Sequence, residues 1–427
     1  MLEGNKIISL RRVTKFIKIL DKVTPGASRS LGWEILITAL SFPASIVLNR
    51  ALGAEDRGLL ASVILIPSTI FALGSCQWNR LLVGLITSKQ ISGREAWRRT
   101  NYYTILLSII FIPIGIFSSL MYVKLPLEAR IISAIYCAKF PIHFLCECLA
   151  ATYNATGSID GRYAMRMSLS LSYLFLLFAF VFSDSLSVSS AVFIYFIIHV
   201  VSLIFGLIKK NKLLYGDTIQ TRPPLTIIKR GFIPFSLETF SSKLDIWAFS
   251  LFGTLITLGY YTGITAMMLP VGLVSQALTV SSTARLDWKQ PTLVHRYMVK
   301  TLIVFVIVLA GLALGGTLIG SDLLNLFLGK SFKDGEWMIP WIAVIVVSNA
   351  AATQFHSALQ LSGLQNSYLL IQTMEPVVRL AIVLGLGWWF SEIGILYGMA
   401  IASTLKAGIC FWVHHKTKLD VASTVGN

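Results

Sequence analysis

Long apolar runs separated by short polar breaks dominate this chain. Each run is about 20 residues long, the length that an α-helix needs to cross roughly 30 Å of hydrocarbon. Strands of a membrane β-barrel would be shorter and would alternate apolar with polar residues. The pattern therefore predicts about twelve membrane-spanning helices, at 30–49, 58–87, 101–122, 130–152, 163–183, 187–208, 231–252, 258–284, 299–320, 337–360, 367–390 and 393–413.

The polar segments divide these helices into two sets of six. A basic cytoplasmic linker at 209–230 separates an N-lobe, residues 30–208, from a C-lobe, residues 231–413. Short glycine motifs recur at corresponding places in the two halves, as with Gly157 and Gly363. Because six crossings restore the orientation of the chain, we expect two pseudo-symmetric lobes, related by an axis along the membrane normal, around a central cavity.

Both termini are predicted to lie in the cytoplasm. Residues 1–29 place apolar and basic residues as in an amphipathic helix on an anionic membrane surface, although a disordered basic tail is the alternative. Residues 414–427 form a short cytoplasmic tail. This orientation puts 25 of the 36 basic residues in inner segments and six in outer loops, as the positive-inside rule requires.

Composition supports membrane embedding and excludes several classes of function. Hydrophobic residues make up 55% of the chain and charged residues 13%, about half the share in a soluble protein. The net charge of +16 is explained by the basic inner loops, so we expect no nucleic-acid partner. The five cysteines lie in apolar stretches without metal-ligand spacing, and no loop is long enough for a catalytic domain. We therefore expect no cofactor, no metal and no enzymatic activity.

Polar and ionisable residues inside the spans are costly, and here they recur at helical spacing. Five such stripes predict a hydrated cavity at mid-membrane depth. The candidate cations for binding an anionic substrate are Arg80, Lys139, Lys243 and Arg379. The candidate carboxylates for proton or ion coupling are Asp245, Glu238, Glu375 and Glu147. The candidate polar residues of the cavity lining are Asn49, Gln372, His356 and Asn349.

Structural roles compete with these functional ones. Glu375 and Arg379 are four residues apart and can neutralise each other within one helix. Arg80 lies near the inner end of its span, where it can anchor the helix at the interface. Asp245 is the strongest candidate, because it lies near mid-membrane with no basic residue on its own helix face. An isolated carboxylate in an apolar setting favours its protonated form, so Asp245 can exchange a proton during transport.

Three segments resemble a known transporter family. They are Arg50-Ala51-Leu52-Gly53-Ala54-Glu55-Asp56-Arg57-Gly58, then Asp245 followed by Gly253 and Gly259-Tyr260-Tyr261, and LLNLFLGKSFKDGEWMIPWIAV before the tenth span. Together with the two six-helix lobes, they resemble the polysaccharide transporter family of the multidrug/oligosaccharidyl-lipid/polysaccharide exporter superfamily. The resemblance covers roughly residues 28–415 and implies a V-shaped bundle that works by alternating access.

The resemblance further implies a flippase that moves undecaprenyl-pyrophosphate-linked oligosaccharide from the cytoplasmic to the periplasmic leaflet of the bacterial inner membrane. A cationic cavity would hold the pyrophosphate and the sugars, an O-antigen or exopolysaccharide repeat unit. Its partners would be membrane lipids and the polymerase and chain-length proteins of polysaccharide assembly. The main alternative is a cation-coupled multidrug or metabolite antiporter of the same superfamily, which would favour a carboxylate-rich cavity. A peptidoglycan-precursor flippase, a membrane enzyme and a membrane scaffold are the remaining alternatives.

Overall fold

A computed structural model describes residues 27–75, 78–87, 89–156, 158–209, 236–272, 290–362 and 364–425. Nearly all of the amphipathic segment predicted at 1–29 and of the linker predicted at 209–230 lies outside these ranges. The described residues form α-helices, 3-10 helices and short turns, with no β-strand among them. The all-α fold class predicted from the sequence is therefore confirmed.

The first half of the chain forms seven helices within the described ranges. They are α1 (Ala27–Gly74), α2 (Trp78–Thr87), α3 (Gly93–Met121), α4 (Leu127–Tyr136), α5 (Phe140–Ala155), α6 (Ile159–Phe182) and α7 (Val188–Lys209). A 3-10 turn over Cys137–Lys139 joins α4 to α5, so these two helices form one membrane-length element.

The second half begins, in the described part, with a helical stretch at 236–241. The elements that follow are α8 (Leu244–Phe252), α9 (Leu255–Met267), α10 (Pro291–Phe327), a 3-10 segment (Lys330–Met338), α11 (Ile339–Leu361) and α12 (Gln365–Val425). Eight helical elements in the described ranges are long and apolar enough to cross a membrane. The described residues of every predicted span are mainly helical, but the count of twelve crossings and their orientation stay predictions.

Two of the long helices contain non-helical residues that separate two predicted spans. In α1 this residue is Gly53, whose φ of 75° and ψ of 178° favour glycine. In α12 it is Ser391, with φ of 52° and ψ of −131°, whose hydroxyl donates to the carbonyl of Phe252 at 3.0 Å. The chain doubles back after Ser391, as shown by the packing of Gly398 against the backbone of Val383.

Separate hydrophobic cores support the two halves. One core surrounds Phe140 and Phe144, which are fully buried, and draws its buried residues from 44–192. The largest core of the second half surrounds Phe249 and Phe332 and is built almost entirely from 244–400. The lobe boundaries predicted from the sequence remain a prediction, although each half buries its own apolar surface.

The two halves meet most extensively where α1 crosses α9. Gly58 lies directly against the backbone of Leu255, and Gly259 lies directly against the backbone of Ala54. These two contacts exchange when the halves are interchanged, because Ala54 and Gly58 correspond to Leu255 and Gly259, 201 positions later. Only glycine lets two helix backbones approach this closely.

Polar contacts also join the two halves of the chain. Trp247 donates to the Thr69 hydroxyl at 3.2 Å, and the hydroxyls of Ser62 and Ser250 are 3.3 Å apart. Lys124 donates to the carbonyl of Leu251. Apart from Thr69, which is in the middle of its span, these residues lie at span ends or in a loop that the sequence predicts to face the periplasm.

Candidate functional site

A cavity of about 460 Å³ lies between the two halves. Its lining comes mainly from the second part of α1, the α4–α5 junction and α7, and it includes three residues of the second half. The lining residues are Arg57, Ala61, Ile64, Leu65, Ser68, Phe71, Ala72, Tyr136, Lys139, His143, Tyr195, His199, Lys243, Ile246 and Thr262. Three cations and two histidines thus share one cavity, whose described lining contains no carboxylate.

Lys139 lies at the back of the cavity and is only 4% exposed. The 3-10 turn at Cys137–Lys139 directs its ammonium group to the Tyr136 hydroxyl, 2.6 Å away. The same nitrogen lies 4.8 Å from the centre of the Tyr136 ring, where a cation–π interaction stabilises its charge. One hydroxyl and one ring face leave other donor positions of the ammonium group available for an anion.

Two histidines extend this basic surface. The rings of His143 and His199 are 5.5 Å apart, and His143 also stacks on Phe71 at 5.3 Å. Nδ1 of His143 is buried and has no hydrogen-bond partner among the residues the structure describes. In the sequence His199 is a lone histidine in an apolar segment, and nothing there shows that α5 and α7 bring the two rings together.

The sequence pattern also missed Arg57. The second predicted span starts at 58, but the helix resumes directly after Gly53 and already includes Arg57. Arg57 therefore lies on the same face as Ala61 and Ser68, three residues that all line the cavity. Its buried Nε has no hydrogen-bond partner in the described part of the chain, which leaves a guanidinium donor for an anion.

The second half of the chain holds a mixed acidic and basic cluster. The Tyr261 hydroxyl donates to Oδ2 of Asp245 at 2.6 Å, while Oδ1 of Asp245 is buried without a partner within the described ranges. Arg379 is close enough to Tyr261 to interact with it electrostatically. Asp245 is thus held by one strong hydrogen bond, and its second oxygen can accept a proton or a cation.

A second carboxylate group of this cluster lies on α12. Glu375 pairs with Arg379 at 3.7 Å on its own helix and with Lys406 at 3.4 Å after the reversal of α12. The pairing that the sequence offered as a structural role for Glu375 and Arg379 is therefore present in the structure. Glu238 accepts from the Gln372 amide at 2.9 Å.

His356 belongs to this cluster as well, because it is close enough to Lys406, Glu238 and Glu375 to interact with them electrostatically. Its ring stacks on Tyr368 at 4.2 Å.

Other predicted residues lie elsewhere. Glu147 is exposed, at a helix end predicted to be cytoplasmic, near Arg162 and Arg166. Asn49 is fully buried, and neither atom of its amide has a hydrogen-bond partner in the described structure. Asn349 is partly exposed on α11. Arg80 lies on α2, and its side chain is outside the described part. Asn49 does not reach the lining of the cavity between the lobes.

Solved structures share this architecture over almost the whole chain. An inward-facing multidrug resistance MATE family transporter of the MOP superfamily aligns with a TM-score of 0.67 and 15% identity, over 91% of this chain and 96% of that one. The lipid II flippase MurJ, in an inward closed conformation, aligns with a TM-score of 0.66 and 13% identity, over 89% and 86% of the two chains. The chain has the fold of these two proteins. No protein-family model matches the sequence, and no curated protein does either.

These neighbours are transporters, and at 13–15% identity the likeness shows that this chain shares their fold. The eight apolar helices of membrane-spanning length in the described ranges support a multi-pass membrane protein, and the substrate stays open. An outward-facing MATE family transporter aligns as well, with a TM-score of 0.64 over 95% of this chain. Among the described residues, no group of histidine, cysteine, aspartate and glutamate side chains is arranged to hold a metal ion.

Proposed function

We propose that this protein is a flippase for undecaprenyl-pyrophosphate-linked oligosaccharide, an O-antigen or exopolysaccharide repeat unit. It moves this lipid from the cytoplasmic to the periplasmic leaflet of the bacterial inner membrane by alternating access, coupled to an ion gradient. The shared fold supports transport, and the lipid II flippase among the neighbours supports a lipid-linked substrate. Polymerase and chain-length proteins that use the product would be its partners.

One observation carries the proposal: the cavity between the lobes is basic. Arg57, Lys139 and Lys243 line it without a carboxylate in its described lining. In a partly dehydrated cavity, uncompensated cations strongly favour an anionic ligand. Pyrophosphate carries several negative charges in one compact group, and a cavity of about 460 Å³ has room for it and for adjoining sugar.

The mixed cluster of the second half is proposed to couple transport to ions. Asp245 and its Tyr261 partner would exchange the proton or cation, and Glu238 and Glu375 lie in the same half. The positive charge of Arg379 would then compensate the negative charge of Glu375, with which it is paired. Arg80 and Glu147 stay proposed for the predicted cytoplasmic entrance.

The alternative is a cation-coupled multidrug or metabolite antiporter. The carboxylates of the second half and the MATE neighbours favour it. The two functions predict opposite charge preferences, because an antiporter for cationic compounds would repel its substrate from the basic cavity.

Pyrophosphate binding separates the two functions. We expect the purified protein in lipid nanodiscs to bind inorganic pyrophosphate. Replacing Lys139 or Lys243 with methionine should weaken that binding by about 10- to 150-fold, since each charged contact contributes roughly 1.5–3 kcal/mol. Lys300→Met is the matched control, because Lys300 is exposed on α10 and does not line the cavity. Equal loss in all three variants, or tighter binding of cationic drugs than of pyrophosphate, would refute the flippase.

Deleting the gene in its host tests the physiological step. We expect undecaprenyl-linked repeat units to accumulate on the cytoplasmic side and surface polysaccharide to be lost, with both restored by the wild-type gene. Normal surface glycans together with altered tolerance to cationic drugs would support the antiporter instead.

A further inference from the structure

An apolar groove in the C-lobe corresponds in position to the N-lobe wall of the basic cavity. Lys139, Tyr195 and His199 line the cavity, and the residues 205 positions later are Val344, Ala400 and Thr404. All three line a groove of about 510 Å³ between α11 and the last part of α12. Its lining consists of Val344, Ala400, Ile401, Thr404, Leu405, Gly408, Ile409 and Trp412.

A pair of side-chain contacts confirms this correspondence. His143 and His199 touch in the N-lobe, and the equivalent residues Ser348 and Thr404 have hydroxyls 3.2 Å apart. The offset of 205 is four larger than at the glycine crossing, so the second half has four additional residues between these places. The helices thus pack alike in both lobes, while the basic groups of the N-lobe are replaced by small and apolar ones.

The groove is accessible and extends along the last part of α12. Ile401, Leu405, Ile409 and Trp412 are between 45% and 58% exposed. These residues follow one another by about one helical turn, so the groove extends for roughly 16 Å along the axis. Gly408 opens its floor, because a Cβ atom there would meet nothing within 4 Å. An elongated apolar groove fits an extended hydrocarbon chain better than a compact polar sugar.

A cation marks one end of the groove. The Lys416 ammonium group lies 5.6 Å from the centre of the Trp412 ring, at the helix end predicted to be cytoplasmic. Tryptophan and lysine are typical of the membrane interface, where lipid phosphates lie. The end at which a lipid would enter therefore carries a charge complementary to its headgroup.

We propose that this groove holds the part of the polyisoprenoid tail next to the pyrophosphate, while the pyrophosphate lies among Arg57, Lys139 and Lys243. This inference rests on the proposed flippase function. The bilayer is as apolar as the groove, so the tail gains shape-dependent packing there and little hydrophobic free energy. The groove lets the tail follow its headgroup through the protein without contact with the wet, basic side.

Photo-crosslinking in nanodiscs tests the location of the tail. The probe is geranylgeranyl pyrophosphate that carries a benzophenone on its second isoprene unit. We expect crosslinks at Leu405 and Ile409 that fall at least fivefold when excess inorganic pyrophosphate displaces the headgroup. Crosslinks to the exposed Ile303 and Ile307 of α10 report bulk lipid contact and should not change.

Filling the groove provides the matched variants. Gly408→Phe should reduce groove crosslinks at least fivefold and leave inorganic pyrophosphate binding unchanged. Gly311→Phe is the control, because Gly311 of α10 also has open space around its Cβ position but does not line the groove. Groove crosslinks that pyrophosphate does not displace, or equal effects of both variants, would overturn the proposal. A benzophenone-labelled quaternary ammonium compound that crosslinks the groove as efficiently would also overturn it.

The two proposals fail in different ways. If inorganic pyrophosphate does not bind in a Lys139-dependent manner, the flippase function fails. If pyrophosphate binds as expected but the crosslinks spread evenly over the lipid-facing helices, only the tail groove fails.

Discussion

Replacing Gly58 or Gly259 with alanine tests whether the glycine crossing holds the lobes together. A Cβ atom on Gly58 would lie 2.7 Å from the carbonyl carbon of Leu255 and 2.9 Å from the nitrogen of Gly259. Both are backbone atoms, which cannot rotate away, so the helices must separate. Overpacking of this kind costs about 1–3 kcal/mol. The conformation with a closed periplasmic end would lose roughly 5- to 150-fold in population relative to one that is open there.

Cysteine labelling measures this shift. Ala61→Cys, in a cysteine-depleted background, places a thiol in the cavity one turn after Gly58. We expect a membrane-impermeant reagent, applied from the periplasmic side, to label it faster in Gly58→Ala and in Gly259→Ala. The double variant should show less than the sum of the two effects, because parting the helices once relieves both contacts.

Gly311→Ala is the control for these variants. Its Cβ position is open, so alanine should leave labelling unchanged and raise thermal stability slightly through better helix propensity. If Gly58→Ala behaves in the same way as Gly311→Ala, the crossing does not restrain the lobes and the reasoning is refuted.

Three further predictions concern the second half. Glu375→Gln leaves two basic side chains without their carboxylate, so it should lower the stability by about 2–3 kcal/mol, more than Lys406→Met does; equal melting temperatures would contradict this. Ser391→Ala and Ser391→Gly both lose the hydrogen bond to Phe252, but only glycine relieves the unfavourable φ, by about 1 kcal/mol or more, so the alanine variant should melt below the glycine variant. Asp245→Asn retains an acceptor for Tyr261 and should fold normally, while transport loses its pH dependence; an unchanged pH profile excludes the coupling role.

The helices could be predicted from the sequence because hydrocarbon imposes their length and composition. The non-helical residues Gly53 and Ser391 interrupt α1 and α12 at the places where the sequence predicts one span to end and the next to begin. The convergence of Lys139 and Lys243 on one cavity also follows the expectation that intramembrane cations gather around a polar path.

The chemistry of the basic cavity and of the apolar groove could not be predicted in the same way. Arg57 was missed because an error of four residues in a helix start moves a side chain from a loop to the cavity wall. Asn49 was placed on a polar stripe, but packing buries it completely. No polar residue pattern marks the apolar groove in the sequence. Its lining residues have the composition of a lipid-facing helix, and only their correspondence to the cavity residues of the N-lobe distinguishes them.

The net positive charge of the cavity between the lobes has a consequence for transport in an energised membrane. Arg57, Lys139 and Lys243 place up to three positive charges in the cavity with no carboxylate in its described lining. Moving one charge across 100 mV changes its energy by about 2.3 kcal/mol. If rocking the lobes carries these charges through roughly a fifth of the field, the voltage contributes about 1.4 kcal/mol, a bias of about tenfold. A negative cell interior thus favours the conformation in which the empty cavity lies nearer the cytoplasm, and a bound anionic substrate of the proposed flippase would cancel this bias.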